Sequence, residues 1–228
     1  MLKVYVPYTS SIADAIGILS TSASGMEEID VIPTLYQGSD SEVGWGETGE
    51  PNYMDLMIER WRILPDLIKK NYGRSIVWLD ADCVFNNNNK EFATTILHHL
   101  ETSGVDFAFQ RDTNRRMSNR INMGIYAVKC SHKTREFVKE WFEEISTKEI
   151  RQAGFPQTEW NDYFTKHAPS YFISFCLLPE SFGKNTGKDN CVIYHAIGTK
   201  NKVGSMKSAL EGWGWGDYTY PAWAHPND

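Results

Sequence analysis

The chain has no apolar stretch long enough to cross a bilayer. Its longest strongly apolar runs, Ser75 to Leu79 and Tyr171 to Leu178, fall far short of the roughly 18 residues a membrane helix needs. Residues 1–8 carry one lysine and a short apolar patch broken by Pro7, too little for a secretion-signal core of about 7–15 residues, so export is not expected. Cysteine is scarce. Cys83, Cys130, Cys176 and Cys191 show no CxxC spacing, and a chain of this size needs no staples. They are expected as reduced thiols in a cytoplasmic compartment, and zinc is not expected. There is no long run of one charge sign: 23 Lys+Arg stand against 29 Asp+Glu, a net charge of −6, and 41% of residues are apolar. A polybasic nucleic-acid binder and a disordered chain are therefore excluded. Internal repeats and low-complexity linkers are lacking too, which leaves small molecules, glycans and proteins as partners.

What is present fits one domain over residues 1–228, since an α/β domain of this length buries roughly 70–75% of its unfolded surface. Lys3 to Pro7 reads as a strand, followed by a helix capped at Ser10 or Ser11 and running to about Leu19, then a strand from Asp30 to Tyr36. Gly38 to Asn52, glycine-rich around Trp45, reads as a long functional loop. Tyr53 to Lys70 repeats apolar residues at three- and four-residue steps, predicting a helix kinked at Pro65. Ser75 to Leu79 is a buried central strand ending in Asp80-Ala81-Asp82. A helix from Lys90 to Thr102, strands at Val105 to Phe109 and Ile121 to Val128, and a helix from Ser131 to about Ser146 follow. That last helix turns Phe137, Val138, Trp141, Phe142 and Ile145 inward. A short helix at Gln157 to His167 and strands at Tyr171 to Leu178 and Cys191 to His195 complete the regular part. The alternation predicts an α/β fold, a mixed, mostly parallel sheet with helices on both faces. From about residue 212 an aromatic arm holds Trp213, Trp215 and Trp223, either packed or offered for stacking.

Ligands of open α/β sheets collect beyond the carboxyl ends of the strands. Asp80 and Asp82 stand there. Two carboxylates spaced i, i+2 after a buried strand repel each other unless a cation or a sugar hydroxyl compensates them, and a hard divalent ion that also takes a diphosphate answers that need. Solvated acids in a turn are the plain alternative. His195 ends the last apolar strand and precedes Gly198, Lys200 and Lys202. An imidazole can add a metal ligand, and a glycine turn with ammonium groups favours phosphate oxygens; a histidine that merely packs is the alternative.

Trp78-Leu79-Asp80-Ala81-Asp82, Asn122-Met123-Gly124, the Gln157 to Asn161 segment and the turn His195-Ala196-Ile197-Gly198, in this order, resemble the nucleotide-diphospho-sugar transferases of the GT-A fold. The pattern is most similar to retaining enzymes such as glycogenin and the bacterial lipooligosaccharide galactosyltransferases. A small virus-encoded member, acting in the host cytoplasm, is among the sources this resemblance admits. It implies metal-dependent transfer of a sugar from a nucleoside diphosphate, UDP by family habit, to a hydroxyl of a glycan or glycoprotein. Mn²⁺ or Mg²⁺ would be the cofactor, held by Asp80, Asp82 and His195, with Asp80 also at the ribose. Pro7, Tyr8, Thr9 and Ser10 would hold the base and ribose, and Arg60 would lie near the donor with Ala81. Asn122 and Gly124 would border the sugar, and Gly198, Lys200 and Lys202 the phosphates. Gln157 and Asp162, with Glu159, would reach the reacting sugar.

Two places depart from the pattern. Pro156 stands where the family often has an acid, and the phosphate lysine usually lies six residues past the histidine, where this chain has Asn201. Asp80-Ala81-Asp82-Cys83-Val84 also resembles the nucleophile loop of haloacid-dehalogenase phosphatases, although that loop usually follows the first strand and the late paired acids are missing. A non-catalytic glycan-binding module, suggested by Trp45, Trp213, Trp215 and Trp223, is the third class.

Overall fold

The computed structural model describes residues 1–8, 12–35, 58, 61–86, 90–112, 121–147, 156–183, 191–197 and 201–213. The elements are β1 (Leu2–Tyr8), α1 (Ala13–Ser22), β2 (Ile29–Leu35), α2 (Leu64–Lys70), β3 (Ser75–Leu79), β4 (Cys83–Phe85) and α3 (Glu91–Leu97). They continue with β5 (Phe107–Arg111), β6 (Ile121–Lys129), α4 (His132–Thr147), α5 (Pro156–His167), β7 (Phe175–Leu177), β8 (Phe182–Gly183), β9 (Ile193–His195) and α6 (Lys202–Gly212).

Six strands form one sheet in the order β2-β1-β3-β6-β5-β7. β1 pairs in parallel with β2 and β3, and β5 with β7. β6 runs against both of its neighbours, β3 and β5. The sheet is therefore mixed and mostly parallel. Strands buried on both faces read as continuous apolar runs, which is why β3 and β6 sit at its centre. Alternate side chains feed two cores. Val4, Val6, Val77 and Leu79 face α1, α3 and α6, while Tyr5, Ile76, Trp78 and Tyr126 face α2, α4 and α5. The second core is dominated by rings: Trp61 stacks on Trp78 at 5.9 Å and on Tyr126 at 5.7 Å and meets Trp141 edge-on at 4.6 Å. Each such pair adds about 0.5–1.5 kcal/mol beyond its buried area.

A second, three-stranded sheet has the order β4-β9-β8. Nothing in the sequence marks β4, because its three residues are apolar and too few to show a period. Cys83 lies opposite His195 in this antiparallel pairing, so β4 carries the residues just after Asp82 onto the last strand of the chain.

Four sequence expectations need correcting, the first being the cap at Ser10 or Ser11: the N-cap of α1 is Ile12, with no side-chain capping bond. α2 is a separate helix with Pro65 in its first turn, after a break at Ile63; a proline lacking its N–H is tolerated there, whereas inside a helix it is not. The helix expected to run to Thr102 leaves α geometry at His98 for a π-helical turn, His98–Thr102. Tyr171 ends a 3₁₀ turn, leaving only Phe175–Leu177 as strand. Ser131 and Thr134 do start α4, each side chain accepting from the other's backbone N–H, at 3.2 and 3.0 Å. The expected loop at Gly38 to Asn52 and the beginning of the Tyr53 helix lie outside the described residues.

Candidate active site

β1 and β3 run parallel, so Tyr8 and Asp80 come to the same edge of the sheet. β6 runs against β3 with Leu79 opposite Ile125, which brings its amino end to that edge too. The Asp80 N–H donates to the Gly124 carbonyl at 2.7 Å, and the Gly124 N–H donates to Asn122 Oδ1 at 2.8 Å. Asp80-Ala81-Asp82 and Asn122-Met123-Gly124, far apart in sequence, are thus tied together by a backbone hydrogen bond.

The β4–β9 pairing supplies the third component. His195 Nε2 lies 3.1 Å from Asp82 Oδ1 and 3.8 Å from Asp80 Oδ2. His195 and Asp82 side chains are 6% and 9% exposed, against 25% for Asp80, so Asp80 is the member that faces outward. The other oxygen of Asp82, Oδ2, is 2.6 Å from Lys202 Nζ, and that ammonium also donates to the Ala196 carbonyl. Burial pushes the Asp82 carboxyl upward, but the charges of and hydrogen bonds from His195 and Lys202 outweigh it, holding the group well below the usual carboxylate range. A buried carboxylate surrounded in this way is a seat for positive charge.

The residues fit a hard divalent cation. Two carboxylates and an imidazole converge as oxygen and nitrogen donors, with the Cys83 thiol close by: one ligand atom each of Asp82, Cys83 and His195 lies within 4.8 Å of the others. A side chain at position 124 would close this space, since a Cβ built on Gly124 falls inside the His195 ring. Gly124 is therefore required for the histidine to reach the carboxylates.

The departure at Asn201 has a structural reason. Asn201 is the N-cap of α6, its Oδ1 accepting the Gly204 N–H at 2.8 Å. The lysine one position later begins the helix and points back at Asp82. Of the other residues singled out in the sequence, Pro7 and Ala81 are buried and Tyr8 is half-buried. Asn122 is buried, while Asp162 is exposed on α5 and makes no hydrogen bond to the cluster. Thr9, Ser10, Arg60, Gly198, Lys200, Trp45, Trp215 and Trp223 lie outside the described residues, as do the side chains of Gln157 and Glu159. Trp213 is buried in the first core, packed rather than presented.

One participant was not legible in the sequence, and another, Asn161, appeared there only as the end of a motif with no role assigned. Gln110, next to last in β5, places its Oε1 2.9 Å from His195 Nδ1; the signal in the sequence is slight, a strand that turns from apolar to polar at this residue. Asn161 clamps the start of β6, accepting from the Ile121 N–H at 2.9 Å and donating to its carbonyl at 3.0 Å. It thereby fixes α5 against the strand that carries Asn122.

Comparison with known proteins agrees with this architecture. No curated protein matches the chain by sequence. Among solved structures, a glycosyltransferase involved in the glycosylation of the major capsid of PBCV-1 shares 15% identity over 90% of this chain and 98% of that one, with a TM-score of 0.62. The galactosyltransferase LgtC, solved with donor and acceptor sugar analogues, shares 10% identity over 97% of this chain and 99% of that one, with a TM-score of 0.57. The glycosyltransferase GlyE of Streptococcus pneumoniae TIGR4 shares 12% over 94% of this chain and 61% of that one, with a TM-score of 0.56. At such identities these likenesses establish the GT-A fold. The model of the nucleotide-diphospho-sugar transferase family matches residues 25–206, most of the chain, and the phosphatase and binding-module readings fall with it. The chain belongs to the nucleotide-diphospho-sugar transferase family and is a glycosyltransferase.

Proposed function

We propose that this enzyme, acting as one domain, transfers a sugar from UDP to an acceptor hydroxyl of a glycan or glycoprotein, with retention of configuration and with Mn²⁺ or Mg²⁺ bound. The observation that carries the reading is the meeting of Asp80, Asp82 and His195 at the carboxyl end of β3. These three residues would hold the cation, which when bound neutralises the diphosphate as it leaves. Asp80, the most exposed of the three, also faces the ribose. Pro7 and Tyr8, with Thr9 and Ser10, receive the base. Lys202, and Lys200 at the Gly198 turn, offer ammonium groups to the phosphates.

Asn122 and Gly124 border the sugar, and Arg60, Gln157 and Asp162 complete the donor side. An amide such as Gln157 is a poor nucleophile, which argues against a covalent sugar intermediate. The reading is therefore substitution on one face of the sugar: the acceptor oxygen bonds to the anomeric carbon as the diphosphate departs, and the acceptor proton passes to the leaving phosphate oxygen. The four free thiols support a reducing, cytoplasmic setting, and no helix among the described residues is long and apolar enough to cross a membrane.

A thermal-shift panel of nucleotides and nucleotide sugars, with and without Mn²⁺, tests this reading. UDP at about 100 times its Kd is expected to stabilise the fold by about 2.7 kcal/mol when Mn²⁺ is present. Equal UDP affinity in excess EDTA would overturn the metal reading, and a preference for another base would overturn UDP.

A further inference from the structure

We infer that Gln110 is a positioning residue for His195, fixing the ring nitrogen that a metal uses; this inference rests on the metal-site reading above. An imidazole ligates only through a nitrogen that carries no proton, so a histidine that binds through Nε2 must keep its proton on Nδ1. That tautomer is held by an acceptor at Nδ1. Gln110 Oε1 stands there, 2.9 Å from Nδ1, while Nε2 faces Asp82 and Asp80.

The surrounding structure is arranged around this contact. Gln110 is fully buried, in a protein interior where an amide is costly unless both of its ends are paired. Its Nε2 nevertheless has no hydrogen-bond partner among the described residues. Packing alone would be served better by an apolar side chain. The register of β5 on β6 shifts between Phe109 and Gln110, an irregularity of the kind that re-aims a side chain beside a site. Room for the amide comes from Gly183, whose φ is +152° and whose added Cβ would stand 2.5 Å from Gln110 Nε2. Gly124 makes room for the other partner, the His195 ring. Two glycines thus clear space for one hydrogen bond.

Mn²⁺ titrations followed by electron paramagnetic resonance, on the wild type and on Gln110→Leu, test the proposal alongside a melting curve of each. Leu matches the volume and removes the unpaired N–H along with the acceptor. The expected result is Mn²⁺ binding weakened about 10- to 100-fold with the fold retained. Unchanged Mn²⁺ affinity in a folded Gln110→Leu would overturn the positioning role and leave the metal site standing. A wild type that binds no Mn²⁺ would overturn both. A second measurement needs no variant: the ¹⁵N spectrum of His195 in wild-type protein loaded with Mg²⁺ and UDP. A protonated Nδ1 is expected, and a protonated Nε2 would overturn the proposal even if Gln110→Leu fails to fold.

Discussion

Asp82 and Asp106 are both buried carboxylates facing a lysine ammonium, 2.6 Å from Lys202 in one case and 2.7 Å from Lys133 in the other. Their remaining partners differ. Asp106 Oδ2 also accepts the backbone N–H of Ser174 at 2.8 Å and its hydroxyl at 2.9 Å, while Lys133 donates onward to the Phe172 carbonyl at 2.9 Å. These bonds stitch the start of β5 to the segment before β7. Asp82 has only side-chain partners, the Lys202 ammonium and the His195 ring, and no backbone N–H among the described residues reaches its carboxylate. A carboxylate tied to amides cannot be re-partnered without breaking the fold. One held by side chains alone can exchange them for a metal or yield them to a phosphate. Burial and ion pairing are therefore poor markers of function, and the kind of donor is the better one.

The sharpest way to break this contrast is to remove each acid in turn. Asp106→Ala is expected to lower unfolding stability by about 2–3 kcal/mol, since it strands the Ser174 donors and a lysine that is itself partly solvated. UDP binding by the folded fraction should stay as it was. Urea unfolding together with calorimetry would check both, and weakened UDP binding would erase the distinction.

Asp82→Asn should show the reverse. Mn²⁺-dependent UDP affinity is expected to fall by on the order of 100-fold, about 2.7 kcal/mol, a larger change than the loss of unfolding stability in the absence of metal. A large stability loss with UDP binding retained would make Asp82 a structural anchor like Asp106.

Lys202→Met probes the exchangeable partner, and a smaller effect is expected. UDP binding with Mn²⁺ should weaken about tenfold, or roughly 1.4 kcal/mol, whereas Mn²⁺ alone should bind no more weakly, because its competitor at Asp82 Oδ2 is gone. Isothermal titrations with each ligand separate the two.

The smallest effect, nil at pH 7, concerns acid. The Asp82 carboxyl is held below its ordinary value of 3.8 in the folded chain. Its contribution to stability is then complete above about pH 4 and is lost as pH falls below that value. Metal-free wild type should lose stability as pH falls below about 4 more steeply than Asp82→Asn in parallel urea titrations. Coincident curves would mean that His195 and Lys202 do not hold the carboxylate.

Some of this was written locally in the chain. The apolar run Ser75 to Leu79 announced a central strand, and two acids after it announced a ligand edge, because burial and charge repulsion depend on immediate neighbours. The three- and four-residue steps of Phe137, Val138 and Trp141 gave α4 its inner face. Local signals failed where two tendencies compete within a few residues. Pro65 can kink a helix or begin one, and only the break at Ile63 decides which.

The site as a working unit was settled by tertiary structure. His195 reaches Asp82 because β9 pairs with the three-residue β4, too short to leave a periodic trace. Lys202 meets Asp82 across 120 residues, and Gln110 meets His195 across 85. A sequence fixes which side chains are able to ligate, accept or pair, since that is the chemistry of each residue alone. Which of them share a few ångströms depends on how strands register and where glycines leave room, and that is decided only when the whole sheet closes.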